Sequence, residues 1–196
     1  VGDNEEDGSE REGVTEGWPG KPIFDESLAQ AMLEAGRRLS PRHWALVKIL
    51  LRTGMELTAL GRITWRDVYP DKVFWKPSRT KQVAVIPIED EDLALAFRIF
   101  VTGQRKESGM LDYWIEQTAK ETREPAALNI TALSLRLTYC YRRLLEGDDP
   151  DDVARRTRMA RPLIHRVIVE MEARDLMPLV LHGADVAPAP GPDEAE

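Results

Sequence analysis

A mainly helical fold carrying one small antiparallel sheet is predicted by three observations. Apolar residues recur at helical spacing on both sides of a short central stretch. That stretch, Trp65 to Ile86, alternates instead and is broken by Pro70-Asp71 and Pro77-Ser78. At 196 residues the chain suits one domain or one domain with tails.

The first helix is SLAQAMLEAGRR, which places Leu28, Met32 and Ala35 on one face. Ser40-Pro41 then has the form of an N-cap followed by proline in the first turn. The helix it opens, 41–53, is apolar nearly all round through WALVKILL and is predicted to be central and buried. Gly54 stops it, and a short helical turn spans Leu57–Leu60.

Trp65–Val68, Lys72–Trp75 and Gln82–Ile86 read as short strands. Helices resume over 90–101, with the acids at 89–92 at its start, and over 109–122. The next helix, 131–146, carries the stripe Leu133, Leu137, Cys140 and Leu144. Two shorter helices are expected over 150–158 and 161–175.

Charge separates the chain into three parts. The net charge is −7, but residues 1–20 hold −6 and 181–196 hold −4, leaving +3 on 21–180. The acidic, Gly-rich segment 1–21 and the Pro-rich, acidic segment 181–196 read as disordered tails or linkers around a folded unit over 22–180. The opening VGDNEEDGSE has no signal-peptide pattern, and its first residue, Val rather than Met, suggests a piece of a longer protein. No apolar run reaches the roughly 20 residues of a membrane span. A single cysteine, Cys140, excludes an internal disulfide and fits a reducing compartment, so a cytoplasmic, DNA-associated location is expected. His43, His165 and His182 are far apart, and neither a metal site nor a cofactor motif is expected.

The order of elements, with IFDESLAQAMLEAGRRLSPRHWALVKILLRTGM, LTALGRITWRDV, SRTKQVAVIPI and ITALSLRLTYCYRRLLEGDDPDDV inside it, resembles the catalytic domain of the tyrosine recombinases, the phage integrase family. The resemblance runs from about Ile23 to Ile168. It implies a pocket in which two arginines clamp the scissile phosphate. The second arginine matches Arg136, whereas the first falls on Glu56, two residues after Gly54. The hairpin lysine falls near Arg79, with Lys81 two residues on. The two histidine positions fall on Leu133 and near Met159, and the nucleophilic tyrosine near Ile168. Tyr69, Tyr113, Tyr139 and Tyr141 all precede residue 142, so none reaches the nucleophile's place.

Cleavage requires a phenolate nucleophile and cations that stabilise charge developing on phosphate oxygen. A carboxylate at the first-arginine position repels that charge, by about 1–4 kcal/mol at ~4 Å. The resemblance therefore implies a domain that has lost its catalytic residues. Glu56 and Arg136 are expected to face one pocket and to form an ion pair there.

The segment DPDDVARRTRMARPLIHRVIVEM also reads as a helix-turn-helix, locked by Ala154, Ile164 and Val167. Arg158 stands where such turns often carry Gly. Arg155, Arg156, Arg158, Arg161, His165 and Arg166 form a basic patch suited to phosphate contacts, opposed by Asp148, Asp149, Asp151 and Asp152. With Arg79, Lys81 and Arg136 these residues make up the expected DNA-binding set. Of the tryptophans (18, 44, 65, 75 and 114) most are expected in the core. Phe74, Trp75 and Lys76 hint at a stacking surface for single strands.

The function expected is duplex DNA binding without strand cleavage, as a regulator, an accessory recombination factor or a DNA anchor. Self-association or a partner recombinase is the further partner class. The alternatives are an active integrase with displaced catalytic residues, a helix-turn-helix transcription regulator, and an interaction scaffold that does not bind DNA.

Overall fold

The computed structural model describes residues 20–77, 83–102 and 110–176. The two terminal segments and the stretch holding Arg79 and Lys81 lie outside the described residues.

Asp25 caps the first helix, α1 (Glu26–Leu39), by accepting a hydrogen bond from the Ser27 amide. Ser40 caps the second, α2 (Pro41–Thr53), through the His43 amide, with Pro41 in the first turn as expected. Trp44, Ala45, Leu46, Val47, Ile49, Leu50 and Leu51 are buried along α2. This helix packs against α1, α4 (Glu91–Thr102), α5 (Leu111–Thr122) and α6 (Ala132–Leu145), which makes it the axis of the main core. Truncating one of its buried leucines, such as Leu50, should cost about 2–5 kcal/mol.

The central stretch departs from expectation in one place. Trp65–Asp67 is a 3-10 turn, not a strand. Thr64 and Asp67 form a reciprocal capping box, with the Asp67 carboxylate accepting from the Thr64 amide and hydroxyl. That local pairing outweighs the alternation of the sequence. The remaining strands, β1 (Lys72–Trp75) and β2 (Ala84–Pro87), form a two-stranded antiparallel sheet with Val73 opposite Ile86 and Phe74 opposite Val85. Val68 adds an isolated bridge to Val73. Gln82, expected to open the third strand, lies outside the described residues. A second 3-10 segment, Pro125–Asn129, has no counterpart among the expected elements.

The last helices of the described residues are α7 (Pro150–Thr157) and α8 (Arg161–Glu172), close to their expected bounds. They enclose a second apolar cluster with the C-terminal half of α6, comprising Leu137, Cys140, Tyr141, Leu144, Val153, Ala154, Met159, Ile164, Val167 and Met171. The three predicted locking residues, Ala154, Ile164 and Val167, are all within it. Leu135 belongs to the main core and Leu137 to the second cluster. Arg136 therefore sits on α6 where the two clusters meet.

The short α3 (Leu57–Leu60) begins three residues after Gly54, whose φ of 61° caps α2. A Cβ on Gly54 would meet Tyr139 Cδ1 at 2.7 Å and Thr157 Cγ2 at 2.9 Å. Glycine here permits the left-handed turn and lets the end of α2 touch both α6 and α7. That close approach builds the site.

Candidate nucleic-acid interface

A cleft of about 820 Å³ opens where α2 ends and α6, α7 and α8 converge. Four arginines line it, Arg136, Arg155, Arg158 and Arg161, against two carboxylates, Glu56 and Asp151. Each is placed by a local feature. Arg136 comes from α6, and Glu56 is the residue preceding α3. Arg158 is the C-cap of α7, with φ of 56°, the left-handed conformation that glycine favours. The turn thus has the geometry of a glycine turn with arginine in it. Arg161 opens α8.

Arg136 is the half-buried member. Its Nε donates to the Gly54 carbonyl at 2.9 Å and its Nη2 to the Thr157 carbonyl at 3.1 Å. Gly54 caps α2 and Thr157 is the last residue of α7. The guanidinium therefore satisfies carbonyls at two helix C-termini, where unpaired oxygens and the helix dipoles concentrate negative potential. Burial lowers its pKa, while Cys140 and the Glu56 carboxylate act in the opposite direction. The common pocket for Glu56 and Arg136 is present. In place of the expected ion pair, backbone carbonyls take the guanidinium's hydrogen bonds and Glu56 acts on it through charge.

The exposed arginines are more paired than their clustering in sequence suggests. Arg155 pairs with Asp152, Arg156 with Asp148 at 3.0 Å, and Arg161 with Asp151 at 3.0 Å. Arg143 also pairs with Asp148, at 2.8 Å. Asp149 instead caps α7 by accepting from the amides of Asp151 and Asp152. Solvent-exposed pairs of this kind are worth about 0–1 kcal/mol each, so an incoming phosphate can displace the carboxylate at small cost. Arg156, His165 and Arg166 are exposed but do not line the cleft. The basic patch is therefore divided, with Arg136, Arg155, Arg158 and Arg161 brought together. The spacing of Asp152 and Arg155 on one helix is a readable sign of pairing, whereas the Asp151–Arg161 pair depends on the turn between helices.

The residues that the sequence resemblance sets at the histidine and tyrosine positions are apolar and packed. Met159 is buried with its sulfur 3.4 Å from the Cys140 sulfur. Leu133 and Ile168 are half-buried against the second cluster. Burial also raises the Cys140 thiol from its ordinary 9.0 to about 12, which removes it as a nucleophile near neutral pH.

A mainly helical domain with a two-stranded antiparallel sheet, organised in this way, matches the fold of integrase catalytic domains. The structure is similar to XerA recombinase, with a TM-score of 0.62 and 17% identity over 81% of this chain and 66% of that one. It is similar to the Tn1549 transposon integrase in complex with transposon right end DNA (TM-score 0.58, 16% identity, 82% of this chain and 67% of that one). The catalytic domain of bacteriophage HP1 integrase gives a TM-score of 0.53 at 17% identity, covering 84% of this chain and 93% of that domain. No family model matches the sequence, and no curated protein matches it. Among the described residues, no helix is long and apolar enough to cross a membrane.

Proposed function

We propose that this chain binds duplex DNA through the arginine cleft and does not cut it. The cleft carries the reading, because four arginines from three elements converge on one opening of about 820 Å³. Phosphates entering it would exchange places with Asp151 and Asp152 on the rim. Arg155, Arg158 and Arg161 would supply contacts that release counterions. The Tn1549 integrase, similar in fold, is seen with DNA.

The absence of cleavage rests on chemistry. Strand transfer by this fold family needs a tyrosine near position 168 and a cation at position 56, where this chain has Ile168 and Glu56. The biological role that follows is a regulator, an accessory recombination factor or a DNA anchor, acting alone, as a self-associated form or with a partner recombinase. The pairing of Arg155, Arg156 and Arg161 with aspartates favours a second reading, an interaction scaffold without DNA affinity.

Incubation with supercoiled plasmid, followed by native and denaturing electrophoresis, tests both parts. The expected result is retarded plasmid with unchanged topology and no protein covalently attached. Relaxed or nicked product would establish an active enzyme. Unretarded plasmid at low salt would favour the scaffold.

A further inference from the structure

The hairpin presents a second surface that the arginine cleft does not use. Val73 and Trp75 are buried on the core side of β1, so Lys72, Phe74 and Lys76, at alternate positions, face outward. Val85 lies opposite Phe74 and is 52% exposed, and Val83, two residues earlier, is 60% exposed. Tyr69 stands edge-on to Phe74, with ring centroids 5.3 Å apart and planes at 84°, and remains 46% exposed. Trp65, in the turn packed beside β1, is 72% exposed, contrary to the expectation of a core role, and Arg66 lies 5.3 Å from its ring centroid. Trp75 is in the core, the leading expectation for the tryptophans, and takes no part in the hinted stacking surface, while Tyr69 supplies ring surface that the sequence pattern does not indicate.

Beside this face is a depression of about 330 Å³, lined by Arg62, Asp67, Phe74, Trp75, Lys76 and Val83. The Trp75 indole nitrogen is buried without a hydrogen-bond partner. A buried donor of this kind is costly unless an acceptor meets it. The surroundings are cationic. Arg62, Arg66, Lys72 and Lys76 stand against Asp67, already committed to its capping box, and Asp71, paired with Lys72 at 3.4 Å. Exposed rings interleaved with cations complement a chain whose units are flat bases joined by phosphates.

We propose that the outer face of the hairpin binds single-stranded DNA. Tyr69 and Trp65 stack bases, and Phe74 holds the Tyr69 ring upright. Arg62, Lys72 and Lys76 meet phosphates. The depression takes one base beside Phe74, Lys76 and Val83. This site is separate from the duplex reading, and either can fail without the other.

The test is fluorescence anisotropy of a short labelled oligothymidylate with the full chain, beside a labelled duplex. Tyr69→Ala and Trp65→Ala should each weaken oligothymidylate binding about tenfold and leave duplex binding unchanged. Lys72→Gln with Lys76→Gln keeps the rings and should flatten the single-strand salt slope by about 0.7 for each phosphate no longer neutralised. An abasic strand of equal length should bind at least about tenfold more weakly than oligothymidylate, since it has no bases to stack. Thermal melting identifies any variant that fails to fold, and the lysine pair then serves as the deciding variant. Equal affinity for the abasic strand, or oligothymidylate binding untouched by these substitutions, would overturn the proposal. So would loss of oligothymidylate binding only when Arg155 and Arg158 are changed. Concentration-dependent dimerisation in sedimentation, abolished by Trp65→Ala, would assign the face to a second copy of the chain and would equally overturn it.

Discussion

Arg136 donates from Nε to the carbonyl oxygen of Gly54 at 2.9 Å, joining residues 82 apart in sequence. With its second bond to Thr157 it ties the ends of α2 and α7 to α6. The arginine is thus a structural clasp as well as a cation at the back of the cleft. Arg136→Met should leave two carbonyls without their donor and destabilise the fold by about 2–4 kcal/mol. Urea denaturation measures this. A change below about 0.5 kcal/mol, the size of an ordinary surface substitution, would show that the clasp does not matter.

Glu56 lowers the positive field that the arginines create in the cleft. Glu56→Gln removes a carboxylate from the lining while keeping the shape. Duplex affinity should rise about fivefold at low salt, corresponding to roughly 1 kcal/mol for one near-surface charge, and the gain should shrink as salt rises. Unchanged affinity at all salt concentrations would place bound DNA away from Glu56.

Arg158 separates stability from function. Its left-handed backbone suits glycine, so Arg158→Gly should stabilise the fold by about 1 kcal/mol. The same change removes a cation from the cleft and should weaken duplex binding. Thermal melting and anisotropy on one variant measure both effects. Movement in the same direction would contradict either the turn geometry or the role of the cleft.

Cys140 supplies a pH test of the second apolar cluster. Its thiol is raised from 9.0 to about 12 by burial, so the folded state holds the proton more tightly than the unfolded state. The stability associated with the neutral thiol is fully present below pH 9 and is lost as pH rises towards 12. Between those values the slope should be about 1.4 kcal/mol per pH unit for this group. Tyr139, also raised by burial, contributes in the same direction. The informative quantity is therefore the difference between the parent and Cys140→Val. Parallel pH–stability curves for the two would mean that Cys140 is not buried as described.

Much of the fold is legible in the sequence because its signals are local. Ser40-Pro41 and Gly54 delimit α2 correctly, since N-cap, first-turn proline and left-handed glycine act within a few residues. Trp65–Asp67 reads as a strand only while alternation is weighed above Thr64 and Asp67, whose spacing is itself a capping-box signature. The site is less legible. The family resemblance implies one pocket for Arg136 and Glu56, but a side chain's choice between a carboxylate and two distant carbonyls depends on how helix ends meet. The aspartates are recognisable as opposing the basic patch. Their particular partners follow from the left-handed turn at Arg158, which brings Asp151 to Arg161.

The most direct measurement is duplex affinity as a function of salt, for the parent chain and for the Arg155→Ala, Arg158→Ala double variant. Binding through the cleft predicts a linear fall of log affinity with log salt. In the variant it predicts a slope shallower by about 0.9 for each phosphate no longer neutralised, close to two units in all. An identical slope and affinity in the two proteins would contradict the account and remove the arginine cleft as the DNA-binding surface.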